Sequence, residues 1–214
     1  MRSLGILGGT FDPVHIGHLR LALEMEERLA LSDGVRLLPA AAPALRDTPR
    51  TTPAIRLEML RAAVAGTDKL SVDDRELNRD GTSFTVDTLE SLREELPETS
   101  ICFIIGMDAF AQFHRWHRWH DITRLAHIVV AKRPGARFPD NAELGSFVAE
   151  HAVNEPALLS RSTAGHVCLL DIPLLDISAT YVRSLIVERR NPHYLVPDAV
   201  AQLIKHHGVY LGNE

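Results

Sequence analysis

Two histidines three positions apart, His15 and His18, close the stretch GGTFDPVHIGHL, which runs from Gly8 to Leu19. At the start of a helix that spacing puts both imidazoles on one face, beside backbone N–H groups that already attract anions. Imidazoles so placed donate to phosphate oxygens as negative charge develops on them. Gly8 and Gly9 carry no Cβ and let a ligand approach the backbone, and Thr10 and Phe11 continue the same turn. The stretch has neither the spacing of the dinucleotide fingerprint nor the lysine of a P-loop. The plain alternative is a pair of surface histidines. A metal site lacks a Cys, Asp or Glu at suitable spacing to complete it.

A second anion site is readable in DISATYVR, Asp176 to Arg183. Ser178 and Thr180 are good helix N-caps, and Val182, Leu185 and Ile186 supply the apolar stripe behind them. Arg183 follows Thr180 by three residues, on the same face of the first turn. Two hydroxyls and a guanidinium at a helix N-terminus suit a triphosphate. An ordinary capped helix with an exposed arginine is the alternative.

These groups need a scaffold. The chain has 214 residues, 45% of them hydrophobic, and Lys plus Arg (23) against Asp plus Glu (28) leave a net charge of −5. That balance gives no field for non-specific binding of nucleic acid. No apolar run approaches the length of a membrane span, and the N-terminus has no signal pattern, so a cytoplasmic protein is expected. Cys102 and Cys168 lie in apolar runs and read as buried, reduced thiols. Short apolar runs at Ser3–Leu7, Val35–Leu38, Leu70–Val72, Ile101–Ile105, His127–Ala131 and Val167–Leu170 alternate with helix-period segments. Thr52-Pro53 opens one of these segments, with Leu57, Leu60 and Val64 as its buried stripe. Alternation of this kind predicts a single α/β domain over 1–214, with a mainly parallel, doubly wound, Rossmann-like sheet. C-terminal helices over about 178–207 are expected to break at Asn191-Pro192 and end at Gly208. Ligands of such a sheet sit beyond the carboxyl ends of its strands. Pro39–Thr51 is then a loop at the ligand edge, Asn154–Gly165 is a second loop, and Asp73-Asp74 is a solvated strand end.

Gly8–Leu19 resembles the signature of the nucleotidylyltransferase superfamily with the His-x-Gly-His motif, and the C-terminal stretch is similar to its second signature, Ile-Ser-x-Thr-x-x-Arg. Three further stretches, ELNRDGTSFTVDTL (76–89), FIIGMD (103–108) and AKRPG (131–135), resemble the bacterial nicotinate mononucleotide adenylyltransferases. The resemblance runs from Leu4 to about Gly208 and is weakest around Phe138–Gly165. It implies adenylyl transfer from ATP to nicotinate mononucleotide, releasing pyrophosphate, with Mg2+ carried by the ATP phosphates and no protein metal cage. His15, His18 and Arg183 are the implied catalytic set. Gly106, Asp108 and Arg133 are implied on the adenosine and phosphate side, with a helix N-cap as a second role for Asp108 and a surface ion pair as the alternative for Arg133.

On the acceptor side, Ser83, Phe84 and Thr85 open a helix whose N–H groups favour a pyridine carboxylate over a neutral carboxamide. Phe84 and Trp116 are candidates to stack on the ring, while Trp119 reads as core. The family usually has Pro-Pro-His followed by Lys or Arg after the second strand. Here Pro43-Ala44-Leu45-Arg46 keeps the cation, Arg46, and replaces the histidine by leucine. His15, His18, Arg46 and Arg183 are expected to gather positive potential at one edge, whereas His114, His117 and His120 read as surface residues. A related transferase, such as one acting on phosphopantetheine, and a non-catalytic nucleotide-binding regulator are the alternatives. No feature specifies an oligomeric state.

Overall fold

The structure, a computed structural model, describes residues 1–42, 48–79 and 81–211. Six strands form one all-parallel sheet: β1 (Ser3–Gly9), β2 (Val35–Pro39), β3 (Leu70–Val72), β4 (Ser100–Gly106), β5 (His127–Lys132) and β6 (Val167–Asp171). Their order is β3-β2-β1-β4-β5-β6, so the winding reverses between β1 and β4. The crevice for a ligand opens beyond the carboxyl ends of that pair.

Each strand of a doubly covered sheet must be apolar on both faces, which is why the strands read as continuous runs. In β1, Leu4 and Ile6 enter one core with Val86, Leu89, Phe113 and Trp119, while Leu7 enters the other with Val14, Met25, Met59 and Val182. The first core lies under α3 (Thr85–Glu95), α5 (Trp119–Leu125) and α6 (Ala142–His151). The second lies under α1 (Ile16–Leu29), α2 (Pro53–Val64), α7 (Ala179–Val187) and α8 (Asp198–His207). The remaining helix, α4 (Met107–Phe110), is a single turn after β4. Cys102 and Cys168 are free and buried, and burial raises their thiols to about 12 and about 11. Among the described residues no helix is long and apolar enough to cross a membrane.

The expected ends hold at α2, where the Thr52 hydroxyl accepts from the Ile55 N–H and Pro53 takes the first position, and at Gly208, the left-handed residue after α8. Other expectations change. The buried face of α2 carries Arg56, Met59 and Leu60, with Leu57 and Val64 only half-buried, because Arg56 turns toward the sheet to meet backbone carbonyls there. Asp73-Asp74 is an ion-paired corner rather than a solvated end: Asp73 receives Arg75 at 2.8 Å, and Asp74 receives Arg61 at 2.8 Å. The second expected loop contains a short 3-10 turn, Pro156–Arg161, fixed by the Ser100 hydroxyl donating to the Leu159 carbonyl at 2.9 Å. Helix α6 rises from the stretch left without an element, capped by Asn141, whose side-chain oxygen accepts from the Leu144 N–H.

Candidate active site

A cleft of about 1180 Å³ opens at the carboxyl ends of the strands beside the switch point. Thr10, Phe11, His15 and His18 line it from the β1–α1 turn, and Ser178, Thr180 and Arg183 from the start of α7. Asp108 and Arg133, after β4 and β5, complete the predicted residues that line it. Both signature stretches, more than 150 positions apart in the numbering, thus meet in one place.

The histidines differ in burial, with His18 half-buried. His15 is the N-cap of α1 and is buried, 4% exposed. Burial lowers its pKa to about 4, so its ring is neutral near pH 7. It therefore adds no net charge at the edge, contrary to the expectation for this residue. Its ring lies on that of His18, with centroids 3.6 Å apart and planes 22° from parallel. The His15 backbone N–H donates to His18 Nδ1 at 3.3 Å. That bond fixes the neutral His18 tautomer, with Nδ1 as acceptor and the proton on Nε2. The glycine between them leaves room for the stack, since a Cβ on Gly17 would sit 3.0 Å from His15 Nδ1 and crowd that ring. Gly9 is similar: its Cβ would lie 3.0 Å from the Phe11 ring, which in turn meets His18 edge-on at 5.0 Å.

The buried imidazole predicts acid sensitivity. In the unfolded chain His15 takes up a proton near pH 6.5, whereas in the fold it does so only near 4. The neutral form is favoured by folding, so its contribution is complete above pH 6.5 and is lost as the pH falls toward 4. The ceiling is about 3 kcal/mol for this one group. Urea titrations at pH 7 and pH 4.5 should show a loss in the wild type larger by about 2 kcal/mol than in His15→Asn. Equal losses in the two proteins would refute the assignment.

Asp12 is the hub that sequence reasoning missed. Its carboxylate accepts from the Arg50 N–H at 2.6 Å, the Thr51 hydroxyl at 2.7 Å and the Tyr210 hydroxyl at 2.7 Å. Its backbone carbonyl accepts from Arg183 Nη1 at 2.7 Å. Arg183 Nη2 also donates to the Thr180 hydroxyl at 3.2 Å, so Arg183 fastens α7 to the histidine turn. Ser178 alone is the N-cap of α7, its hydroxyl accepting from the Tyr181 N–H at 3.1 Å. Thr180 lies inside the first turn instead of capping it.

Arg56, fully buried, was also missed. It donates from Nη1 to the carbonyls of Thr10 (2.8 Å) and Ala40 (2.7 Å), and from Nη2 to that of Ala41 (3.3 Å). Burial pulls its guanidinium below the ordinary range, opposed by the neighbouring Asp12 carboxylate. No local pattern marks either residue as a hub, because their partners are distant in sequence.

The acceptor-side candidates form a separate group off the cleft lining. Phe84, not Ser83, is the N-cap of α3, and Thr85 is its first residue. The Ser83 hydroxyl accepts from the Ala41 N–H at 3.1 Å and the Ala42 N–H at 3.4 Å, tying this helix start to the loop after β2. Phe84 packs on His117 with centroids 4.6 Å apart. Trp116 packs against Phe113 at 5.3 Å and edge-on to Phe103 at 6.0 Å, while Trp119 is core as expected. A Cβ on Gly8 would face Phe103 at 3.7 Å, so the two glycines look toward opposite groups.

Asp108 is exposed in the first turn of α4, and Gly106 is the N-cap there, so Asp108 does not cap the helix. Arg133 pairs with Asp176 at 2.7 Å on the cleft rim. His117 and His120 are exposed and His114 is half-buried. Among the described residues no group of three or more His, Cys, Asp or Glu side chains converges on a metal position. Leu45 and Arg46 lie outside the described residues.

Residues 6–185 match the cytidylyltransferase-like family. A protein of Marinobacter nauticus named "Probable nicotinate-nucleotide adenylyltransferase" is 48% identical over 206 residues, covering 96% of this chain and 95% of its own. The chain belongs to the nicotinate-nucleotide adenylyltransferases of the cytidylyltransferase-like family. A second adenylyltransferase of the family, from Cellvibrio japonicus, is 46% identical, with 97% of this chain and 98% of that one covered. The fold is shared with the Plasmodium falciparum nicotinic acid mononucleotide adenylyltransferase complexed with NaAD, at a TM-score of 0.74 and 15% identity over 98% of each chain.

Proposed function

We infer that this chain transfers the adenylyl group of ATP to nicotinate mononucleotide, giving nicotinate adenine dinucleotide and pyrophosphate in NAD biosynthesis. The observation that carries the reading is the stacked His15–His18 pair at the N-terminus of α1, facing Arg183 across one cleft. The acceptor's 5′-phosphate attacks the α-phosphorus in line, and pyrophosphate leaves from the opposite side. The attacking oxygen is already anionic, so no general base or nucleophilic side chain is needed. Catalysis is then positioning and charge stabilisation.

In this reading the His18 Nε2–H donates to the α-phosphate, where charge builds in the transition state. His15 holds the stack and the helix start, and Arg183, Ser178 and Thr180 take the triphosphate with Thr10 and Phe11. Gly106, Asp108 and Arg133 face the adenosine part, and Arg46 adds a cation from the loop after β2. Mg2+ enters with ATP as part of the substrate, held by phosphate and water. Gly8 and Gly9 let the nucleotides lie against β1. Ser83, Phe84 and Thr85 present the N-terminus of α3 to the pyridine carboxylate, and Trp116 closes on the ring. We place the reaction in the cytoplasm and treat the whole chain as one functional domain.

Pyrophosphate release with ATP and a small acceptor panel tests the assignment directly. At equal concentration, nicotinate mononucleotide should turn over roughly five- to thirtyfold faster than the nicotinamide form, since the carboxylate gains what the helix N-terminus offers an anion, roughly 1–2 kcal/mol. Equal turnover of the two would sink the carboxylate argument, and release with phosphopantetheine alone would move the chain to another acceptor class.

A further inference from the structure

The cleft contains a cation that none of the roles above uses. Arg50 lines it, on the segment that leads into α2. Its backbone is fixed by the Asp12 carboxylate, which accepts the Arg50 N–H at 2.6 Å and the hydroxyl of the next residue, Thr51, at 2.7 Å. The residue is exposed, and among the described residues its guanidinium makes no hydrogen bond or ion pair. The other two arginines lining the cleft are engaged. Arg133 is neutralised by Asp176 at 2.7 Å, and Arg183 holds the Asp12 carbonyl and the Thr180 hydroxyl. His15 is neutral, and the Asp12 carboxylate is already met by its three donors. A ligand bearing several negative charges therefore finds at Arg50 an arginine fork with an anchored backbone and an uncommitted charge. A planar guanidinium meets phosphate oxygens two at a time, which a lysine does not.

We propose that Arg50 binds the two phosphates of ATP that depart as pyrophosphate. This rests on the adenylyltransferase reading. An exposed place in the cleft lining suits that end of the polyphosphate, because in the proposed reading His18 meets the α-phosphate. Arg50 then contributes mostly to ground-state binding of ATP and to retention of the product, and little to the chemical step.

The test compares Arg50→Gln and Arg50→Lys with the wild type, after thermal melts establish that both variants fold. In steady-state assays Arg50→Gln should raise the KM for ATP about tenfold, the usual scale for losing one charge-assisted contact. It should leave kcat within about threefold and the acceptor KM unchanged. Inhibition by inorganic pyrophosphate should weaken by a factor similar to that for ATP, while inhibition by AMP, which lacks those phosphates, should not move. Arg50→Lys should fall between. An active Arg50→Gln enzyme with unchanged KM for ATP overturns the proposal, as does an AMP effect equal to that on pyrophosphate. If the wild type fails to turn over ATP with nicotinate mononucleotide, the underlying reading fails instead. Calorimetric binding of pyrophosphate to wild type and Arg50→Gln then still judges Arg50, and equal affinities overturn its role.

Discussion

His18→Ala should lower kcat by on the order of 10²-fold or more, with the fold and the affinity for ATP nearly unchanged. The expectation rests on the state of the ring as much as on its place. The His15 N–H donates to Nδ1 of His18, so the ring proton sits on Nε2 and the imidazole is a ready donor without first taking up a proton. A donor held rigidly at the point where charge develops acts on the transition state more than on bound ATP, so the loss falls on kcat. His18→Asn, which keeps a side-chain donor but not the stack on His15, should recover only part of the rate. Single-turnover measurement of the chemical step is the direct check. A full rate in His18→Ala would remove the phosphate role from this residue.

Arg56→Ala should destabilise the protein by about 3–5 kcal/mol. The guanidinium is fully buried and satisfies the carbonyls of Thr10, Ala40 and Ala41, which belong to the ends of two adjacent strands' loops. Removing it leaves those acceptors without a donor and opens a void the size of a large side chain. Each effect alone is worth a kilocalorie or more by order of magnitude, roughly 1–3 for an orphaned buried polar group. Arg56→Lys should recover only part, because an ammonium in place of Nη1 can keep the Thr10 and Ala40 contacts but loses the second arm that reaches the Ala41 carbonyl. Equilibrium urea denaturation gives the number, and a loss below about 1 kcal/mol would show that water replaces the side chain without difficulty.

The sheet was legible because its strands are covered on both faces, and sequence runs such as ICFII and HIVVA have no other comfortable place. The histidine turn was legible because its parts are local: the glycines, the histidines and the helix start fall within a dozen residues. What joins the site together was not legible. Asp12 reads as a turn residue before proline, and its partners stand 38, 39, 171 and 198 positions away. In α2 the expected stripe of Leu57, Leu60 and Val64 is as good a helical pattern as the real face, so periodicity alone could not place Arg56 inside. The neutrality of His15 follows from burial, which only packing decides. Helix α6 did carry a readable sign, the Asn141 cap, within a stretch whose composition otherwise looked variable.

The bond from the Tyr210 hydroxyl to Asp12 crosses 198 positions of chain. On the ribosome the histidine turn emerges early and waits, because its carboxylate hub lacks one donor until the residues after α8 leave the exit tunnel. Synthesis adds roughly 5–20 residues per second, so the sheet neighbours of β1, β2 and β4, follow it many seconds before the last donor of the hub. A chain cut short of Tyr210 leaves the Asp12 carboxylate with two of its three donors.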